Sequence, residues 1–246
     1  MPKENSIMLA RPDFHEVQAS RRIFLLSGML GSAALLSGCA TIGTSGGLDE
    51  GLRRLLTIST QRAVTQLVER KGYLNDAVAR ITLPSNVAGG DRSGAVLGAL
   101  LRSRPVQDQL LRLVNDAAGE AADRAAPIIL DSIRNLSFTD AAAIARGGPT
   151  AASDYLERAI GPRIIDAMLP EVGAALRSFD GNGVLGPVLG AATGINVVGL
   201  QRVVTTQAAR GLWRAIGREE AAIRANPRSA RDPLVEALFA GGRLLG

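Results

Sequence analysis

Histidine and cysteine are almost missing from these 246 residues; His15 and Cys39 are the only ones. Beyond residue 39 there is no imidazole for general base work and no thiol nucleophile. Neither a Cys/His zinc site nor an internal disulfide can be built there. A Ser-His-Asp triad is excluded for the same reason. Lysine is as scarce, so a Ser-Lys dyad would have only Lys71, flanked by Arg70 and Gly72. Aromatic residues make up 3% of the chain, so any core is aliphatic. No glycine cluster is followed by Lys-Ser or Lys-Thr, and no strand leads into one, so a phosphate loop is absent.

What is present is a globular composition, 46% hydrophobic and 21% charged. That is too apolar for a disordered chain. The length suits one large domain or two small ones.

The first 38 residues read as an export signal. Lys3, Arg11, Arg21 and Arg22 make the start basic, and residues 23–36 carry no charge. Fourteen residues span only about 21 Å as a helix, short of a bilayer core of roughly 30 Å. The stretch is therefore a signal-peptide core and not a permanent span. Ser20-Arg21-Arg22-Ile23-Phe24-Leu25 resembles the twin-arginine export motif, with Arg21, Arg22, Phe24 and Leu25 as its marks. Leu36-Ser37-Gly38-Cys39 resembles the bacterial lipobox. Small residues at 37 and 38 let a peptidase reach the backbone, and the Cys39 thiol then takes a diacylglyceryl group. Several acyl chains give stable anchoring. Ala40, where an Asp would favour inner-membrane retention, points to an outer membrane, facing the periplasm.

The mature chain, residues 39–246, holds 24 basic against 20 acidic residues. They are scattered, with no basic stripe interleaved with aromatics, so nucleic acid is not an expected partner. Residues 39–48 are small and polar and read as a lipidated tether. From 49 to 246 the pattern is helical and no stretch alternates long enough for a sheet. The reading is one all-α domain of about seven to nine helices.

Apolar spacing predicts a helix over 51–71 capped by Gly72, then a short extended segment at 80–84 and a loop over 85–94. Helix resumes near Ser93 and is interrupted around Ser103–Pro105. Val106, Leu110, Leu113, Val114, Ala117, Ala118, Ala121 and Ala125 then make an alanine-rich stripe, and Pro127 breaks or restarts it. Asp140 marks a helix start and Gly147-Gly148 its stop. Further helices follow over 160–176, over 197–224 up to Asn226-Pro227, and over 229–240. The glycine-rich, uncharged run 181–199 reads as a buried turn region.

Several motifs resemble one family. They are Leu74-Asn75-x2-Val78-x2-Ile81-x-Leu83-Pro84, Asn115-x-Ala117-Ala118-x-Glu120-x3-Arg124-Ala125-x-Pro127, Thr139-Asp140-Ala141 leading to Gly147-Gly148, and Ala151-Ala152-x-Asp154-Tyr155. The longest is Gly211-Leu212-Trp213-x2-Ile216-x2-Glu219-Glu220-x2-Ile223-Arg224-x-Asn226-Pro227. Together they resemble the bacterial family catalogued as domain of unknown function 4197. The resemblance covers most of residues 50–240 and implies an exported helical protein. It brings no catalytic residues.

The candidate polar cluster is Asp116, Glu120, Glu219, Glu220 and Arg224. Glu220 and Arg224 are four apart and read as a surface pair or part of a helix-end network. Asp116, Glu120 and Asp123 share a helix face without calcium-loop spacing. No metal ligand set and no cofactor are expected. The function expected is a non-catalytic binding or scaffolding module, lipid-anchored through Cys39, with an envelope protein as possible partner and the ligand unknown. One alternative is a carrier of apolar molecules. The other is a carboxylate-dependent hydrolase or metal-binding protein, with Asp116 or Glu120 meeting Glu219 in a cleft.

Overall fold

Four long helices form a ring in which each packs on two neighbours. They are α1 (Ser45–Val68), α3 (Arg104–Arg134), α5 (Ala151–Phe179) and α6 (Val197–Ala225). α1 and α5 each pack against both α3 and α6. Three short helices complete the domain: α2 (Gly72–Asn75), α4 (Ala141–Arg146) and α7 (Pro233–Ala240), the last preceded by a 3-10 turn, Pro227–Ala230. The computed structural model describes residues 45–82, 104–179 and 197–240. Among these, every regular element is helical, and no helix is long and apolar enough to cross a membrane. The leader, the lipobox, the loop 85–94, the helix start near Ser93 and the glycine-rich run up to 196 lie outside the described residues. Residues Ala40–Gly246 make one compact unit.

The core follows the helical spacing. Leu52, Leu55, Leu56, Ala63 and Leu67 face inward from α1. On α3 the inward stripe is Leu110, Val114, Ala117, Ala118, Ala121, Ala122 and Ala125. Alanine lets helix axes approach closely, and Gly119 goes further: a Cβ there would sit 3.1 Å from the Leu67 carbonyl oxygen of α1. Val68 departs from the expected face and is 41% exposed.

Some boundaries differ from the sequence reading. α1 takes in residues 45–48, which composition places in the tether. The left-handed residue after α1 is Lys71, with φ 66°, and not Gly72. Gly72 serves close approach instead, since a Cβ would lie 2.3 Å from the Gln66 carbonyl oxygen. The last helix starts at Pro233 rather than 229. Arg231 turns left-handed at φ 54°, and Asp232 Oδ1 accepts from the backbone N–H of Leu234 and Val235.

Pro127 does not break α3, and α5 runs unbroken through Pro162 and Pro170. Each proline removes the hydrogen bond to the carbonyl four residues back. Those carbonyls belong to Asp123, Arg158 and Asp166, and all six residues are exposed. The freed groups are on the wet side, where water replaces the lost donor and the helix can bend around the core.

Candidate functional site

The family-like motifs gather at two polar junctions on α6, one turn apart. The first is built on Glu220, whose side chain is wholly buried. Its Oε1 accepts from the Ala152 N–H at 3.0 Å and from Arg224 Nε at 2.7 Å. Its Oε2 accepts from the Ser153 N–H at 2.7 Å and the Ser153 hydroxyl at 2.5 Å. Arg224, only 10% exposed, donates onward to the carbonyls of Ala145 and Ile144 at 2.8 and 3.1 Å.

Helix ends explain why these partners are there. The first N–H groups of α5 and the last carbonyls of α4 have no partner within their own helices. One acid and one base, four residues apart on α6, satisfy both ends and match the sign of each helix dipole. Glycine makes the approach possible, since a Cβ at Gly217 would meet the Thr150 methyl at 3.0 Å. The Arg224 guanidinium also lies 5.1 Å from the centre of the Phe239 ring on α7. The surface pair expected at these two positions is thus corrected to a buried one that joins four helices.

The second junction clamps the strap, residues 72–82. Asp76 Oδ1 accepts from the N–H groups of Val78 and Ala79, and Oδ2 accepts from Arg218 at 2.7 Å. Arg218 also donates to Gln66 Oε1, and Gln66 donates to Glu219 Oε1 at 3.2 Å. Further along, Asn115 acts as a surrogate strand. Its Oδ1 accepts from the Ile81 N–H at 2.9 Å and its Nδ2 donates to the Ile81 carbonyl at 3.2 Å. The Tyr73 hydroxyl donates to the Ala208 carbonyl of α6. Gly211 is required beneath the strap, because a Cβ would lie 2.6 Å from the Ala79 carbonyl oxygen.

The electrostatics follow from these contacts. Burial pushes the Asp76 carboxyl up, but the Arg218 hydrogen bond, the two backbone N–H groups and the Arg218 charge outweigh it and hold the group below its ordinary value. Burial, with the Asp76 charge, pushes the Tyr73 hydroxyl well above its ordinary value. The Glu157 carboxyl on α5 is raised by burial and by Asp154, against the opposing charges of Arg210 and Arg158.

The five residues of the polar cluster fall in three places. Glu220 and Arg224 form the first junction, and Glu219 belongs to the second. Asp116 and Glu120 lie in an open groove of about 530 Å3 between α3 and the end of α1, opposite Glu69, Arg70 and Lys71. Glu219 does not line that groove, so the cleft that would pair it with Asp116 or Glu120 is not formed there. Among the described residues no group of three or more acids is arranged to hold a metal ion. A second open groove, of about 650 Å3, runs along Pro227, Pro233 and Phe239, with Arg228 and Glu236 at its edge.

Sequence reasoning missed Asn115, Asp76, Arg218 and Ser153 as junction residues. A signal existed for Asn115, a polar residue at an inward-facing position of an alanine stripe. Ser153 offered none, since its partner lies 67 residues away.

No curated protein and no solved structure matches this chain. A family model described as "Protein of unknown function (DUF4197)" matches residues 44–240, which takes in all seven helices and both junctions, and the chain belongs to that family.

Proposed function

We propose that this protein is a lipid-anchored component of a bacterial envelope, acting as a non-catalytic binding or scaffolding module. The observation that carries the reading is the sole cysteine, Cys39, closing an apolar leader as Leu36-Ser37-Gly38-Cys39. Arg21 and Arg22 with Phe24 and Leu25 direct it to twin-arginine export, and Ala40 to the outer membrane facing the periplasm. The residue inventory supports the non-catalytic part, because the mature chain holds neither histidine nor a free thiol. The use of charge supports it too. Glu220 and Arg224 have their polar atoms engaged in joining helix ends.

Metabolic labelling with an alkyne fatty acid, followed by mass analysis of the mature N-terminus, tests the anchor. The expected product starts at an acylated Cys39, and Cys39→Ser carries no label. A mature protein cleaved elsewhere, or unlabelled, overturns it. Replacing Arg21 and Arg22 by lysine should block export, and unchanged export would rule out the twin-arginine route.

A second reading, carriage of an apolar molecule, draws on the groove against Pro227, Pro233 and Phe239, which exceeds the roughly 300 Å3 of a small-molecule site. Native mass spectrometry of the protein taken from its own envelope decides it. A stoichiometric ligand beyond the Cys39 acyl groups favours carriage, and a clean mass favours the scaffold.

A further inference from the structure

α6 carries charge of one sign over most of its length. From Val197 to Arg218 it holds Arg202, Arg210, Arg214 and Arg218 and no acid. Arg218 is engaged with Asp76 and Gln66. The other three are exposed, and among the described residues none of them pairs with a carboxylate. Successive helical residues turn by about 100°, so Arg202, Thr206, Arg210 and Arg214 climb one face in four-residue steps. Val203 lies on that face, 36% exposed, and Val198 at the helix start is 64% exposed. These are two of the three large apolar side chains that the described residues leave in water. The opposite face, with Leu200, Val204, Ala208 and Leu212, is buried.

Arginines and valines together narrow the partner. A soluble polyanion would use the guanidinium groups and gain nothing from the valines. A bilayer surface offers phosphates outside and hydrocarbon just beneath. We propose that this face of α6 binds an anionic phospholipid surface, with Arg202, Arg210 and Arg214 on lipid phosphates and Val198 and Val203 entering the headgroup boundary. The inference takes from the anchor proposal only that a membrane is near. Five residues separate Cys39 from Ser45, which limits the start of α1 to about 20 Å from the anchor.

The test uses residues 40–246, the compact unit without the acylated cysteine. Flotation is measured with vesicles of phosphatidylcholine alone and of phosphatidylcholine with phosphatidylglycerol. Binding to the anionic vesicles only, released by salt, is expected. Replacing Arg202, Arg210 and Arg214 by glutamine should weaken it about a hundredfold, and each alone about fivefold, so the single variants decide the matter if the triple one misfolds. Val198→Ser with Val203→Ser should also weaken it. Removing the same charge elsewhere, by Arg104→Gln, Arg112→Gln and Arg146→Gln, should leave most of the binding. Four outcomes overturn the proposal: no flotation, equal flotation with neutral vesicles, equal loss in the control triple, or binding indifferent to the valines and matched by a DNA oligonucleotide. Because Cys39 is absent from the test, failure here leaves the anchor proposal standing, and failure of the anchor leaves this result intact.

Discussion

Glu219 and Glu220 are adjacent in the chain, yet they serve two junctions of different character. At the Glu220 junction the partners are helix ends, the acid is wholly buried, and its neighbour Arg224 is nearly so. At the Arg218–Asp76 junction the network is spread over Gln66, Asp76, Arg218 and Glu219, and Arg218 is 35% exposed. Adjacent helical residues point about 100° apart, so one chemical type at neighbouring positions reaches different depths. The dry junction has no water to replace a lost partner. The wet one has both water and alternative partners. Burial, more than the number of hydrogen bonds, sets what each charge is worth.

The contrast breaks most readily at Glu220. Glu220→Ala strands Arg224 and frees the Ala152 and Ser153 N–H groups, and should cost about 3–5 kcal/mol in urea unfolding followed by circular dichroism. Glu220→Gln keeps the shape and should cost less. A loss below about 1 kcal/mol for the alanine variant would mean that the junction is hydrated in solution. Asn115→Leu comes next, because it leaves the Ile81 N–H and carbonyl buried without partners; about 2–4 kcal/mol is expected. Amide exchange at Ile81 should accelerate more than exchange in α5, which separates local release of the strap from general loosening.

Asp76→Asn sharpens the comparison from the wet side, at about 1 kcal/mol near neutral pH. The folded-state value of this carboxyl lies below its unfolded value of about 3.9. Its contribution is therefore complete above that value and disappears as pH falls through the lower folded one. The gap between the wild type and Asp76→Asn should accordingly close in unfolding curves taken from about pH 5 to about pH 2. A gap that widens on acidification would reverse the assignment. Smallest of all is Arg134→Ala. Its partner Asp131 is three residues away on the same exposed turn, and a change within about 0.5 kcal/mol is expected from thermal unfolding.

The all-α class and most helix ends were legible in the sequence because their signals are local. Asp140 accepts from the Ala143 N–H as a cap should, and Asn226-Pro227 stops α6. The prolines were misread because propensity counts the missing donor and takes no account of which side of the helix it is missing from. Pro127 on a buried face would have ended α3. The depth of Glu220 and Arg224 was illegible because a pair four apart looks the same on a surface as beneath two other helices. Only the arrival of α4 and α5 distinguishes them. The strap illustrates both cases. Its extended end was visible in Arg80–Thr82, while its clamp Asn115 comes from a helix 34 residues on.

The alanine seam of α3 determines which errors this domain can absorb. A core of leucine and phenylalanine fails chiefly by truncation, which opens holes. A seam of Ala117, Ala118, Ala121, Ala122 and Ala125, with Gly119 against the next backbone, has almost no volume to surrender. Its vulnerability runs the other way, toward any added carbon. Such a chain tolerates drift among small residues and rejects enlargement, so its sequence record would be marked by what never grows there.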